Sequence, residues 1–185
     1  MKRFLVIILV CLGIKAQAQV PVNEALYKVH LYEPDKCIIA ETKLVNSSPE
    51  LIPDRMYYWF SSGKIKATQG AYSGKLLNGQ YTEFYLNKNL KERGSFKAGL
   101  KDDIWKSWNE NGILTQIVTW KKGLKNGDLT LYDAKGNFIE KQVYHDDKLI
   151  LTRTIGLDGQ IMEKTLGENK GKRSFWSKLN IFKKH

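Results

Sequence analysis

The sequence predicts an all-β fold, an elongated antiparallel meander of stacked β-hairpins, with a short basic amphipathic helix at the C-terminus. Three observations carry that expectation. Tyr72, Phe96, Trp120 and Tyr144 recur at intervals of 24 residues, and so do Phe84, Trp108 and Tyr132, and Tyr81, Trp105 and Leu129. Between these columns run two series of turn-formers. One comprises Ser62-Gly63, Lys88-Asn89, Asn111-Gly112, Lys135-Gly136 and Asp158-Gly159; the other comprises Asn78-Gly79, Asp102-Asp103, Asn126-Gly127 and Asp146-Asp147. A unit of 24 residues with two turn signals has room for two short strands and no helix of ordinary length, so each unit reads as one hairpin. Third, only Cys11 and Cys37 occur among 185 residues, so packing and backbone pairing rather than cross-links must hold the fold.

Taken in chain order, residues 1–18 read as a signal peptide. Lys2 and Arg3 form a basic start, Phe4 to Ile14 an apolar run, and Ala16 and Ala18 the small residues before a cleavage point. The run is shorter than the roughly 20 residues that span a bilayer. Val10 stands before Cys11 where a lipoprotein signal needs a small residue. Cleavage removes Lys2, Arg3 and Lys15 from the 30 basic residues and no acid, leaving 27 against 19. The expected location is the periplasm or outer surface of a bacterium. Cys37 is then the one remaining thiol and reads as a small buried apolar residue.

Residues 19–56 form a lead-in and a diverged first repeat. Pro21 and Asn23 discourage regular structure at its start, and Asn46-Ser47-Ser48-Pro49 predicts a loop. Residues 57–165 carry the hairpin repeats. Their aromatic columns read first as a cross-strand packing ladder. Trp105 and Trp108 are three apart, which puts them on opposite faces of a straight strand, and an uncovered aromatic stripe marks an interaction surface. Tyr72, Phe84, Phe96, Trp105, Trp108, Trp120 and Tyr132 are the residues proposed for that face.

Residues 166–185 are a basic amphipathic tail. From Asn169 to His185 there are six basic residues and no acid, whereas residues 19–168 are close to neutral. Ser174 caps a short predicted helix that sets Phe175, Trp176, Leu179 and Phe182 to one side. Lys172, Arg173, Lys178, Lys183 and Lys184 would meet anionic lipid headgroups while the rings sit at the interface. The alternative is a terminal helix packed on the folded body, or a solubilising tail. Nucleic acid is not an expected partner, because the folded body carries no basic excess.

The runs Tyr72-Ser73-Gly74 … Asn78-Gly79-Gln80-Tyr81, Trp105-Lys106-Ser107-Trp108-Asn109-Glu110-Asn111-Gly112 and Trp120-Lys121-Lys122-Gly123-Leu124-Lys125-Asn126-Gly127 resemble the MORN repeat, and more closely its bacterial variant often labelled an antitoxin family. Lys88 and Asp103 stand where that pattern has glycine, and the unit around Asp146, Asp147 and Lys148 has lost its glycines, as a terminal cap would. The resemblance implies interaction or membrane association rather than catalysis. An antitoxin role fits poorly with a signal peptide, which removes the chain from a cytosolic toxin.

No nucleophile elbow, phosphate-binding glycine loop, His-Glu-x-x-His helix or paired-cysteine motif is present. The chain reads as a non-enzymatic protein without cofactor or metal. The expected function is a repeat scaffold of the cell envelope that holds a protein or glycan partner across one sheet face. The alternative is a peripheral protein held at an anionic membrane surface by its tail.

Overall fold

Alternating segments rich in β-branched and aromatic residues, such as Leu114-Thr-Gln-Ile-Val-Thr-Trp120, leave the backbone little choice but extended strands. A computed structural model describes residues 26–43, 49–156 and 159–166, and every regular element among them is a strand. In chain order these are β1 (Leu26–Glu33), β2 (Lys36–Lys43), β3 (Met56–Ser61), β4 (Lys64–Gln69), β5 (Lys75–Tyr85) and β6 (Leu90–Lys97). They continue with β7 (Leu100–Trp108), β8 (Leu114–Lys121), β9 (Leu124–Tyr132), β10 (Phe138–His145), β11 (Lys148–Ile155) and β12 (Ile161–Thr165). The predicted tail helix lies outside the described residues.

From β5 to β12 each strand pairs antiparallel with the next, as a meander of hairpins should. The N-terminal part departs from that order. The β1–β2 hairpin joins β5 directly, while the β3–β4 hairpin is set off the path and reaches β5 only at Trp59↔Leu76 and Phe60↔Lys75. Strand β5 serves both because it is long: its first residues face β3 and the remainder, from Leu77 onward, faces β2. Backbone bonds fix the detour, since Tyr58 N donates to Gly99 O and Gly99 N to Leu77 O, each at 2.7 Å.

Two kinds of hairpin connection alternate. In the first, the amides of Tyr85, Asn109 and Asp133 donate to the carbonyls of Asn89, Ile113 and Asn137 at 2.8–2.9 Å, and the left-handed position falls on Lys88, Gly112 and Gly136. Lys88 holds φ +70° where its counterparts are glycine. A β-carbon there is crowded against the neighbouring carbonyl, at a cost of about 1–2 kcal/mol, which exceeds the added unfolded-state entropy of glycine. Lys88→Gly is therefore expected to raise stability by about 0.5–1 kcal/mol, read as a higher urea midpoint at unchanged slope.

The second kind is a two-residue turn with both residues at positive φ: Ala98-Gly99, Lys122-Gly123 and Asp146-Asp147, and also Ser62-Gly63, which the sequence pattern places in the other series. This corrects part of the sequence reading. Asn78-Gly79, Asp102-Asp103 and Asn126-Gly127 are not hairpin turns but bulges inside β5, β7 and β9, where register slips between Ala40↔Tyr81 and Thr42↔Leu77, between Arg93↔Lys106 and Ser95↔Asp102, and between Val118↔Leu129 and Trp120↔Lys125. Their side chains clasp the following turn. Asn78 Oδ1 accepts from the Ala98 amide at 2.9 Å and Asp102 Oδ1 from the Lys122 amide at 3.0 Å. Each turn so clasped also donates back to the earlier repeat, Gly123 N to Lys101 O at 2.8 Å and Asp147 N to Lys125 O at 2.9 Å.

The main core lies on one sheet face, where Leu31, Ile38, Ala40, Leu77, Tyr81, Phe96, Trp105, Val118 and Leu129 are buried together. Tyr81, Phe96 and Trp105 are mutual neighbours, with ring centroids 4.9–5.5 Å apart, and Tyr58 of the β3–β4 hairpin lies 4.9 Å from Phe96. A second cluster of Tyr57, Trp59, Leu76 and Leu100 fastens that hairpin to the sheet.

Candidate interaction face

The fold divides the seven rings proposed from sequence. Phe96 and Trp105 are core residues, with Trp105 0% exposed, so neither ring offers a surface to a partner. Trp120 packs partly buried against the main core, and Tyr72 against the second cluster, 6.4 Å from Tyr57. Phe84, Trp108 and Tyr132 remain. Each lies three residues along its strand from Tyr81, Trp105 or Leu129, and so on the opposite face.

These three rings have cross-strand partners at the same period: Phe84↔Leu90, Trp108↔Leu114 and Tyr132↔Phe138. The register slips identically beside each pair, one residue of β6, β8 or β10 (Lys91, Thr115, Ile139) being left over. The repeated bulge keeps the apolar pair on the same face at the same height in successive hairpins. Cys37, half-buried, is paired with Phe84 at the head of the row. None of these six apolar residues belongs to either core cluster. They form an apolar stripe that the described part of the chain leaves half open.

Beside the stripe is a groove of about 320 Å³ lined by Gln80, Leu90, Arg93, Ile104, Lys106 and Trp108. Arg93 and Lys106 are directly opposed across β6 and β7. Sequence reasoning missed both, because their meeting depends on the bulge at Asp103, whose φ of +64° shifts the register.

On the core face the Trp120 Nε1 is buried without a hydrogen-bond partner among the described residues, whereas the groups around Glu83 are engaged with one another. Glu83, 6% exposed, accepts from the Tyr81 hydroxyl at 2.6 Å and is paired with Lys91 at 2.9 Å and Lys36 at 3.6 Å. Burial pushes its carboxyl up, but the Tyr81 hydroxyl and the two ammonium groups outweigh burial and hold it below the usual range. Tyr81 is in turn raised, by burial first and by its bond to Glu83 second. Lys101 lies 3.8 Å over the Trp105 ring and 2.9 Å from Glu92, capping the aromatic stack with a neutralised charge.

No group of three or more His, Cys, Asp or Glu side chains converges among the described residues. Asp146 and Asp147 hold the last turn to β9 instead, Asp147 Oδ1 accepting from the Lys125 amide at 2.6 Å and Asp146 Oδ1 from the Asn126 side chain at 2.7 Å. Among the described residues no helix is long and apolar enough to cross a membrane. The nine tail residues read as membrane contacts, Lys172 to Lys184, lie outside the described part. No protein-family model, curated protein or solved structure matches the chain.

Proposed function

We propose that the protein is a non-enzymatic, MORN-like repeat scaffold of the bacterial cell envelope, exported by its N-terminal signal, that holds a protein partner across the sheet face bearing Phe84, Trp108 and Tyr132. The observation that carries this reading is the apolar stripe. Three cross-strand pairs recur at 24-residue intervals on the face away from the core, and a periodic apolar stripe left half open is what a docking face requires. On the other face Glu83, Tyr81, Lys91 and Lys36 are engaged with one another.

The test is site-specific photo-crosslinking in the native envelope, with the reactive side chain at Ile117 in the middle of the stripe face and, as control, at Lys64 in the β3–β4 turn. A discrete adduct from position 117 alone is expected. Adducts of equal pattern from both positions, or none from 117, overturn the reading.

A second reading draws on the tail, six basic residues with no acid between Asn169 and His185 beside Phe175, Trp176, Leu179 and Phe182. In that reading a short amphipathic helix holds the protein on anionic lipid. Vesicle co-sedimentation of residues 19–185 and 19–168 tests it. Only the longer form should pellet with anionic vesicles, and salt should release it, since headgroup attraction is screened within about 8–10 Å.

A further inference from the structure

The groove beside Trp108 contains an arrangement the fold itself does not need. Arg93 and Lys106 face each other across β6 and β7, and among the described residues neither makes an ion pair or a side-chain hydrogen bond. Asp103 also lines the groove and pairs with neither. Like charges directly opposed in a sheet are destabilising. The same sheet neutralises its other such pairs: Glu83 is opposed to Glu92, but Lys91 Nζ reaches Glu83 and Lys101 Nζ reaches Glu92, each at 2.9 Å. Lys141 is opposed to Arg153, but Lys141 Nζ reaches Asp128 at 2.6 Å and Arg153 Nε reaches Glu163 at 2.7 Å.

The surroundings define what would satisfy the open pair. Across the sheet the row runs Thr82, Arg93, Lys106, Ile117, Thr130, Lys141, Arg153, so the unpaired cationic patch is two residues wide: the cations beyond Thr130 are already paired with Asp128 and Glu163. A polyanion such as nucleic acid or a sulfated glycan would need a longer cationic track. Trp108, Leu90 and Ile104 form the apolar wall, with Ile104 50% exposed. A groove of about 320 Å³ lies at the small end of small-molecule sites but takes one or two partner side chains. Tryptophan and arginine beside an aliphatic wall is the composition of an interface hot spot.

We propose that this groove receives an acidic side chain of the protein partner between Arg93 and Lys106, with an adjoining apolar side chain against Trp108. The proposal rests on the scaffold reading above and names the chemistry of the partner at that face.

The test titrates the ¹⁵N-labelled exported protein with a short capped peptide carrying glutamates beside a Leu-Phe pair. Its Gln-for-Glu analogue and a sulfated hexasaccharide serve as comparisons. The acidic peptide is expected to move the Trp108 indole and Arg93 side-chain signals and to bind at least about tenfold more tightly than the analogue, the ratio for one charge-assisted contact. Arg93→Glu should abolish that preference while its unfolding midpoint stays equal or rises, because it now opposes Lys106 with the opposite charge. Equal binding of both peptides overturns the proposal and leaves the apolar stripe, and with it the scaffold reading, standing. Binding of the hexasaccharide without the peptide overturns it in favour of an anionic glycan. If no probe moves any residue of this face, the proposal falls, and a missing adduct at Ile117 in the crosslinking test separately decides the scaffold reading.

Discussion

Gly94→Ala should destabilise the fold by about 3 kcal/mol, at the upper end of what overpacking a core costs. A β-carbon at Gly94 would lie 2.2–2.5 Å from Cδ2, Cε2 and Cγ of Trp105. The ring cannot retreat. It is fully buried, stacked among Tyr81 and Phe96, and tied by its indole N–H to Ser95 O at 3.1 Å. The next repeat solves the same place differently. At the equivalent positions, 24 residues on, Val118 pairs with Leu129, a medium side chain against a medium one in place of nothing against a large one. Trp105→Ala alone should cost about 3–5 kcal/mol through the cavity it leaves. The exchange Gly94→Val with Trp105→Leu imports the neighbour's pair and should lie within about 1.5 kcal/mol of the parent, as volume-conserving swaps do. Urea unfolding of the parent, these three variants and the single exchanges Gly94→Val and Trp105→Leu measures this. A loss in the double variant equal to the sum of its two single exchanges would mean that the two positions do not share one volume.

That pairing also explains what the sequence could reveal. A repeat makes each unit a control for the others, so Lys88 and Asp103 stood out as residues in glycine places, and both have positive φ, +70° and +64°. The hairpin architecture followed from the same period. Confusion arose where two structures ask for the same residues. A two-residue hairpin turn and a bulge both need positive φ at a glycine, so Asn78-Gly79 and Asn126-Gly127 looked like turns although the turns are Ala98-Gly99 and Lys122-Gly123. What separates them is a bond to a turn about twenty residues away, such as Asn78 to Ala98, which no local signal contains. The detour of β3 and β4 was invisible for a similar reason. Tyr57 and Trp59 alternate with the same period as any meander strand, and only their burial with Leu76 and Leu100 shows where they belong. Of the seven rings named for the interaction face, the division into covered and open faces followed once register was known. Spacing alone had already set Trp105 against Trp108.

Glu83→Gln should remove about 2 kcal/mol of stability at neutral pH, the range for hydrogen bonds to a charged group, and should flatten the acid limb of the stability curve. The carboxylate is inside the sheet with Tyr81, Lys91 and Lys36 as its partners. Burial works against its charge, but these partners prevail, so its pKa in the folded protein lies below the ordinary value of 4.5. A carboxyl depressed by folding contributes fully above its unfolded pKa, and the contribution is lost as pH falls through the folded one. Parent stability should therefore hold level down to the ordinary carboxylate range and then decline, while the glutamine variant, less stable at neutrality, lacks this part of the decline. The two curves should converge in acid. The alkaline side has the opposite sign: Tyr81, raised by burial and by Glu83, and Lys91, raised by its bond to Glu83, contribute fully below their ordinary values of 10.0 and 10.5 and lose that contribution progressively as pH rises beyond these toward their raised folded values. Urea midpoints of parent and variant between about pH 3 and pH 8 provide the measurement. Parallel curves across that range would mean that Glu83 is not held as a carboxylate by its neighbours, and the polar knot on the core face would then have to be stabilised by packing alone.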